Sequence, residues 1–323
     1  MKPSFILFLK RLYGDSFNRE FGKEGPGINF NRIPVYSLEK LIKLFNVYQG
    51  RNCNVYTSVY TYDPGKPIPM KKPAPRYIYP YNKNVILDRI FIDFDKDLTD
   101  KAQTEYNNLL LDSSRQDFYQ RLIEQGQAKA PINEAKTVYE YIVKSFQGNP
   151  TLIFSGAKGC HLYIHFNPVK LQHPKETILH FVNKLEELLN LKHMDDAVKG
   201  DFSRVSRIPT SKHPKTDLYA HPWKVDYSYN EIIENSKNKN IPFDTLDLEA
   251  ARSNLTDLLY NIDSYFESQK ERLKYESILR KHTRKNIVSS RDKVKIEAPE
   301  DILLLNQFPC FQALPYTHDS RVI

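Results

Sequence analysis

Apolar and polar positions along the chain fall into two periods. Leu38, Leu41, Ile42 and Phe45 recur at the three- and four-residue spacing of one helix face, with Lys40 and Lys43 opposite and Ser37 placed as a cap, so Ser37–Tyr48 predicts an amphipathic helix. The same period predicts a short helix to about Leu12, with Phe5–Leu9 on its buried face. It also predicts helical segments over Leu98–Gly126 and Ala135–Phe146 broken by Pro131, an amphipathic helix over Pro174–Leu191, and two helices within Leu246–His282. Strand-like runs rich in β-branched and aromatic residues occupy Asn54–Tyr62, the segment from Val85 to Asp95, Thr151–Phe154 and, after a glycine turn, His161–Phe166. Strands mixed with helices throughout make the class α/β or α+β.

The period of two has a chemical consequence in Phe91-Ile92-Asp93-Phe94-Asp95. Alternation puts Asp93 and Asp95 on one face of the strand, about 6–7 Å apart, and Ile92 and Phe94 on the other. Two carboxylates desolvated together are costly unless a cation neutralises them, and their hard oxygens suit Mg²⁺ or Mn²⁺. The alternative is a strand that runs out into a solvated acidic loop, since Asp97 and Asp100 follow.

Two further stretches carry chemistry. In Ser155-Gly156-Ala157-Lys158-Gly159-Cys160-His161 the glycines let backbone amides converge, and Lys158 and the Ser155 hydroxyl add donors, as in a cradle for a triphosphate. It is no P-loop, because a strand follows instead of a helix. Beyond the turn, His161, Tyr163 and His165 share one face while Leu162, Ile164 and Phe166 pack inward. The other reading is an ordinary hairpin with a lysine at its tip. From Asp195 to Thr216 the chain is acidic first and then dense in Arg, Ser, Lys and His, which suits metal binding beside phosphate binding, or a charged loop.

Composition narrows the class a little. The 323 residues carry 47 Lys and Arg against 39 Asp and Glu, a net charge of +8, which favours a polyanionic partner. The three cysteines, Cys53, Cys160 and Cys310, form no CxxC pair, so neither a disulfide framework nor an all-cysteine zinc site is expected, and a reducing cytoplasm is the expected location. No apolar run approaches the roughly 20 residues of a membrane span.

Taken in order, the three stretches resemble the archaeo-eukaryotic primase superfamily, closest to the small catalytic primase subunit and to plasmid, archaeal or viral primase-polymerases. Asp93 and Asp95 match its strand-borne Asp-x-Asp. Ser155, Gly156, Gly159 and His161 match its second motif, and Asp195, Val198, Asp201, Arg204, Arg207, Pro209, Ser211, His213 and Lys215 match the third at every spacing. The likeness spans about Leu87 to Thr216. It implies a catalytic core of an N-terminal α/β module and an RRM-like module with the active site between them, and a C-terminal helical accessory region. It implies that Asp93, Asp95 and Asp195 are catalytic and hold two divalent ions, Mg²⁺ or Mn²⁺. Ser155, Gly156, Lys158, Gly159, His161, Arg204, Arg207, Ser211, His213 and Lys215 would bind the nucleotide. Asp196 and Asp201 are rival ligands. Cellular relatives carry a zinc knuckle between the first two motifs; no cysteine stands there in this chain, so no zinc is expected.

The activity so implied is DNA-templated nucleotidyl transfer that makes and extends primers in replication, with single-stranded DNA template, primer and NTP or dNTP as partners and no membrane. An end-joining repair polymerase of the same fold and a non-catalytic origin-binding module are the alternatives. Residues 1–230 are expected to form the catalytic domain, 231–290 a helical accessory domain, and 291–323 a linker and tail. The Asp63–Pro80 loop, with six prolines, and the basic cluster at 272–285 are candidate tracks for a template strand. Ile287–Glu300 reads as a linker, and the apolar segment from Asp301 to Phe311 either leads into a further, large-subunit-like domain of a longer replication protein or docks on the catalytic domain.

Overall fold

The computed structural model describes residues 3–286 except 15–16, 26–27, 50–52, 63–84, 110 and 240–251. In chain order the elements are α1 (Pro3–Tyr13), β1 (Arg19–Gly25), β2 (Ile28–Val35), α2 (Leu38–Tyr48), β3 (Asn54–Ser58), β4 (Thr61–Tyr62), β5 (Val85–Asp95), α3 (Asp100–Asn108) and α4 (Asp112–Glu124). There follow α5 (Lys129–Phe146), β6 (Thr151–Phe154), β7 (Gly159–Val169), α6 (Pro174–Leu189), β8 (Val205–Arg207), β9 (His221–Trp223), α7 (Tyr229–Ser236) and α8 (Thr256–Asn286). The chain is thus a mixed α/β protein with antiparallel sheets.

Local chemistry explains most boundaries. The Ser37 hydroxyl accepts from Lys40 N at 3.2 Å and starts α2, and a reciprocal Ser228–Glu231 capping box starts α7. Pro131 does not break a helix: α5 begins two residues before it. First-turn amides have no intrahelical acceptor, so a proline there costs no hydrogen bond. The expected 98–126 helix is split into α3 and α4 around Leu109 and Leu111, and the expected 54–62 strand into β3 and β4. Of the Leu246–His282 span expected to hold two helices, residues 246–251 lie outside the described residues, and Thr256 onward is one helix, α8.

The strands form two antiparallel sheets, ordered β2-β1-β3-β8 and β4-β5-β7-β6-β9. α5 and α6 cover one face of the five-stranded sheet, burying Ile132, Val138, Ile142, Ile178, Phe181 and Leu185 with Phe94, Leu162, Ile164 and Phe166. Burial of this kind contributes about 1.5–3 kcal/mol per large apolar side chain. The opposite face, with Arg89, Phe91, His161, Tyr163 and His165, is buried as well. It meets α1 and the four-stranded sheet: the Tyr163 hydroxyl donates to Ser206 Oγ at 2.7 Å, and Arg89 donates to the Leu12 carbonyl. The hydrophobic side of β7 is therefore not its only inward side.

The helix α8 joins the same core through Leu258, Leu259 and Ile262. Asp263 accepts from Gln172 N at 2.9 Å and His173 N at 2.6 Å, tying α8 to the start of α6. No helix among the described residues is long and apolar enough to cross a membrane. The 63–80 loop and the 287–323 segment lie outside the described residues, as do the side chains of the basic cluster beyond Lys274.

Candidate active site

The end of β5 brings the three sequence stretches together. β5 pairs with β7 so that Asp93 lies opposite His161 and Asp95 opposite Gly159. On its other side the segment 193–195 lies antiparallel to β5: Phe94 pairs with Met194, Asp195 N donates to Asp93 O at 2.9 Å, and Asp95 N donates to His193 O at 2.8 Å. This register sets Asp195 directly opposite Asp93, and cross-strand partners share a face. A row Asp195–Asp93–His161 thus crosses three segments that are far apart in sequence.

The two rival acids face elsewhere. Asp196 pairs with Lys199 at 2.5 Å, and Asp201 accepts from Ser203 N at 2.9 Å and Ser203 Oγ at 2.6 Å, holding its own turn. Only Asp195 of the three is registered with Asp93.

Basic side chains lie against the carboxylates. Arg204 Nη2 is 3.2 Å from Asp93 and 3.6 Å from Asp195. Lys158 bridges Asp95 at 2.9 Å and Asp97 at 2.8 Å. Burial pushes Asp93 upward, Arg204 pulls it down, and Asp195 adds repulsion; the balance lies at about 6. Burial also raises Asp95, against the pull of Lys158. His161 Nε2 is 3.7 Å from Asp93, yet burial, helped by Arg204 and Arg207, lowers His161 to about 3, so it is neutral near pH 7.

The remaining residues of the second and third stretches form a second layer. Gly156 has φ +86°, and a Cβ there would meet His213 Cβ at 3.1 Å and Leu218 O at 3.2 Å, so only glycine lets the 155–159 turn lie against the 213–218 loop. A Cβ on Gly159 would fall onto the carbonyl of Phe94. Ser155 Oγ donates to Gly159 O at 2.9 Å, so this hydroxyl closes the turn instead of facing outward as a donor. Arg207 is buried beside Tyr56, with its guanidinium carbon 5.3 Å from the ring centre and Nη1 without a hydrogen-bond partner. Ser211 Oγ and His161 Nδ1 are also buried without partners. Burial, then Arg207 and Lys215, hold His213 well below the ordinary histidine range. Lys215 is exposed, its ammonium 5.7 Å from the rings of both Tyr106 and Tyr119. Thr210, in the left-handed region at φ +66°, shapes the loop between Arg207 and His213.

Hard carboxylate oxygens from three side chains match the donor chemistry of Mg²⁺ or Mn²⁺. As the side chains stand, no three His, Cys, Asp or Glu among the described residues are gathered into a metal-holding group; Arg204 lies between Asp93 and Asp195. The donor set fits a divalent cation that takes the place of the guanidinium.

Sequence reasoning missed Tyr56, Tyr106 and Tyr119, whose rings lie against Arg207 and Lys215, and Glu134, which contacts Lys192 and His193 beside the site. None lies in a motif. Between the first two motifs the described residues form α3, α4, α5 and β6.

No protein-family model matches the chain, and no curated protein matches it. The chain is similar to several solved structures. The catalytic domain of primase RepB′ in complex with initiator DNA shares 9% identity, covering 83% of this chain and 96% of that one at a TM-score of 0.43. The primase-polymerase domain of cyanophage S-2L shares 16% identity over 72% and 95% of the two chains, at a TM-score of 0.36. The polymerase domain of Mycobacterium tuberculosis ligase D in complex with DNA shares 13% over 77% and 91%, at a TM-score of 0.35. Similarities of this size carry no argument about chemistry, which rests on the residues of the site itself.

Proposed function

We propose that this chain is a divalent-metal-dependent nucleotidyltransferase, a DNA primase-polymerase that joins nucleotides on a single-stranded DNA template. The observation that carries the reading is the register of Asp195 opposite Asp93, with Asp95 on the same strand face and His161 beside them. An acidic cluster whose central member is held near 6 despite Arg204 is costly, and a bound divalent cation would offset the cost further.

Asp93, Asp95 and Asp195 would hold two ions, Mg²⁺ or Mn²⁺, which supply charge neutralisation and a lowered pKa for the attacking hydroxyl. Lys158, Arg204, Arg207, His213 and Lys215 would face the triphosphate and balance charge developing on the leaving pyrophosphate. His161, neutral, would give an N–H to a phosphate oxygen. Ser211 adds a buried hydroxyl that has no partner in the protein. Gly156 and Gly159 let the turn approach closely. The 3′-hydroxyl of the primer attacks the α-phosphate, a new phosphodiester bond forms, and pyrophosphate leaves.

The test is synthesis on single-stranded DNA with labelled ribo- or deoxynucleotides and Mg²⁺ or Mn²⁺, with and without a primer. Template-dependent products that vanish in the Asp93→Ala/Asp95→Ala double variant are expected. No incorporation under any of these conditions, or undiminished synthesis by the double variant, overturns the reading.

A further inference from the structure

The acidic row is held together from outside. The segment carrying Asp195 meets β5 through one bridge, Phe94–Met194, and through two backbone hydrogen bonds, Asp195 N to Asp93 O and Asp95 N to His193 O. So short a pairing is weak by itself, because ordering the backbone costs about 1–2 kcal/mol per residue. Glu134, on the second turn of α5, supplies the rest. Its carboxylate accepts from Lys192 N at 3.0 Å, from His193 N at 2.9 Å, and lies 2.7 Å from His193 Nδ1. Two consecutive amides and a ring thus converge on one carboxylate, and the second amide and the ring belong to His193, whose carbonyl receives the Asp95 amide.

From this geometry we infer that Glu134 is a positioning residue, which clamps the 192–195 segment onto β5 and so sets Asp195 opposite Asp93. It touches neither Asp195 nor the phosphate-side residues; it acts through the His193 backbone. Its catalytic consequence rests on the proposed nucleotidyl transfer, but the clamp itself does not. The helix that carries Glu134 is anchored in the core by Ile132, Ala135 and Val138, so the clamp is held from a buried element.

Asp263 provides an internal control. It accepts from two consecutive amides in the same way, Gln172 N and His173 N, but at the start of α6, in a segment that carries none of the site residues. If any amide clamp served only stability, removing either would have the same effect on the site.

The experiment compares wild type, Glu134→Ala, Glu134→Gln and Asp263→Ala by amide hydrogen exchange, by Mn²⁺ binding in paramagnetic resonance, and by nucleotide incorporation. For Glu134→Ala, at least tenfold faster exchange of the Asp95 and Asp195 amides is expected, with a 10–100-fold loss of Mn²⁺ affinity, the range for residues that orient metal ligands. Glu134→Gln, which keeps one carbonyl acceptor, recovers much of both. Asp263→Ala lowers thermal stability and leaves Mn²⁺ affinity unchanged. If Glu134→Ala is too unstable to measure, His193→Ala and Glu134→Gln carry the test, each with a smaller loss in the same direction. Wild-type exchange and Mn²⁺ affinity in the Glu134 variants, or an equal loss of Mn²⁺ affinity in Asp263→Ala, overturn the inference. A wild-type protein that binds no Mn²⁺ and transfers no nucleotide overturns the proposed function instead, and amide exchange at Asp95 and Asp195 still decides the clamp.

Discussion

The two ends of β5 bury carboxylates in opposite ways. At one end Asp88 meets Arg89, whose Nε and Nη2 donate to its two oxygens at 2.7 and 2.5 Å. Arg19 stands behind them, spending its guanidinium on the carbonyls of Tyr13, Ser58 and Val59. At the other end Asp93 meets a second acid, Asp195, and a single more distant arginine, Arg204. Burial by itself raises both carboxyls. The charge and hydrogen bonds of Arg89 bring Asp88 down to about 2, whereas Asp93 rises to about 6. Burial therefore does not by itself set a carboxyl's proton affinity; the cation that accompanies it does. Asp88 has a bidentate arginine, and Asp93 has a more distant one and a second acid.

The sharpest way to break this contrast is to neutralise each acid in turn. Asp93→Asn is expected to lower nucleotide incorporation by about 10²–10³-fold or more, with the melting temperature unchanged or raised, because an ionised group held at about 6 opposes folding at neutral pH. Asp88→Asn is expected to do the reverse. It strands the Arg89 charge in the interior and costs about 3–5 kcal/mol, while incorporation by the fraction still folded keeps its rate. Melting curves and a single-turnover assay on both variants decide this; equal stability losses at the two positions would sink the comparison.

Removing the cation instead of the acid gives the next largest effect. Arg89→Met leaves Asp88 unpaired and the Leu12 carbonyl without its donor, so chemical denaturation should show a loss of about 3 kcal/mol or more. Arg204→Met should barely change stability, since its side chain is one-third exposed.

Acid lability separates the buried histidines from the acids. Burial lowers His161 and His165 to about 3 and His221 to about 4, whereas the unfolded chain binds their protons near 6.5. Between those values the unfolded state carries more protons, so this stability is fully present above about pH 6.5 and is lost as the pH falls toward 4 and 3. The Asp93 carboxyl runs the other way and recovers part of the loss on protonation below about 6. Asp88 adds its own loss only as the pH falls from about 4 toward 2. His165→Gln, which retains a partner for Thr151 Oγ1, should flatten the stability slope between pH 6.5 and 4 by up to ~1.4 kcal/mol per pH unit. An unchanged slope would mean that His165 takes up its proton equally in the folded and unfolded chain.

The smallest effect concerns Lys158. Its ion pairs with Asp95 and Asp97 are one-third exposed at the lysine and solvent-screened. Lys158→Met should leave the melting temperature within a degree or two, but raise the apparent KM for nucleotide about tenfold by removing one charge-assisted phosphate contact. A KM equal to that of wild type would remove Lys158 from the triphosphate side of the site.

Much of the architecture was legible along the chain. Periods of 3.6 and 2 marked α1, α2, α6, β6 and most of β7, because amphipathic faces must repeat with the backbone geometry that buries them. Alternation alone placed Asp93 and Asp95 on one face. Motif spacing picked Asp195 over Asp196 and Asp201 for the acidic row, and in three dimensions Asp195 is the one of these whose backbone pairs with β5.

What only the tertiary structure decided is which groups meet. That Asp195 lies opposite Asp93 depends on a pairing between segments about a hundred residues apart, which no local period encodes. Glu134 carries no motif, and its three donors come from a turn nearly sixty residues away. The polar face of β7 proved buried because a second sheet covers it, a fact that depends on how sheets stack and not on how a strand alternates. The opposite fates of Asp88 and Asp93 have the same origin: intrinsic pKa values are those of the residue type, but desolvation and neighbouring charge act through space.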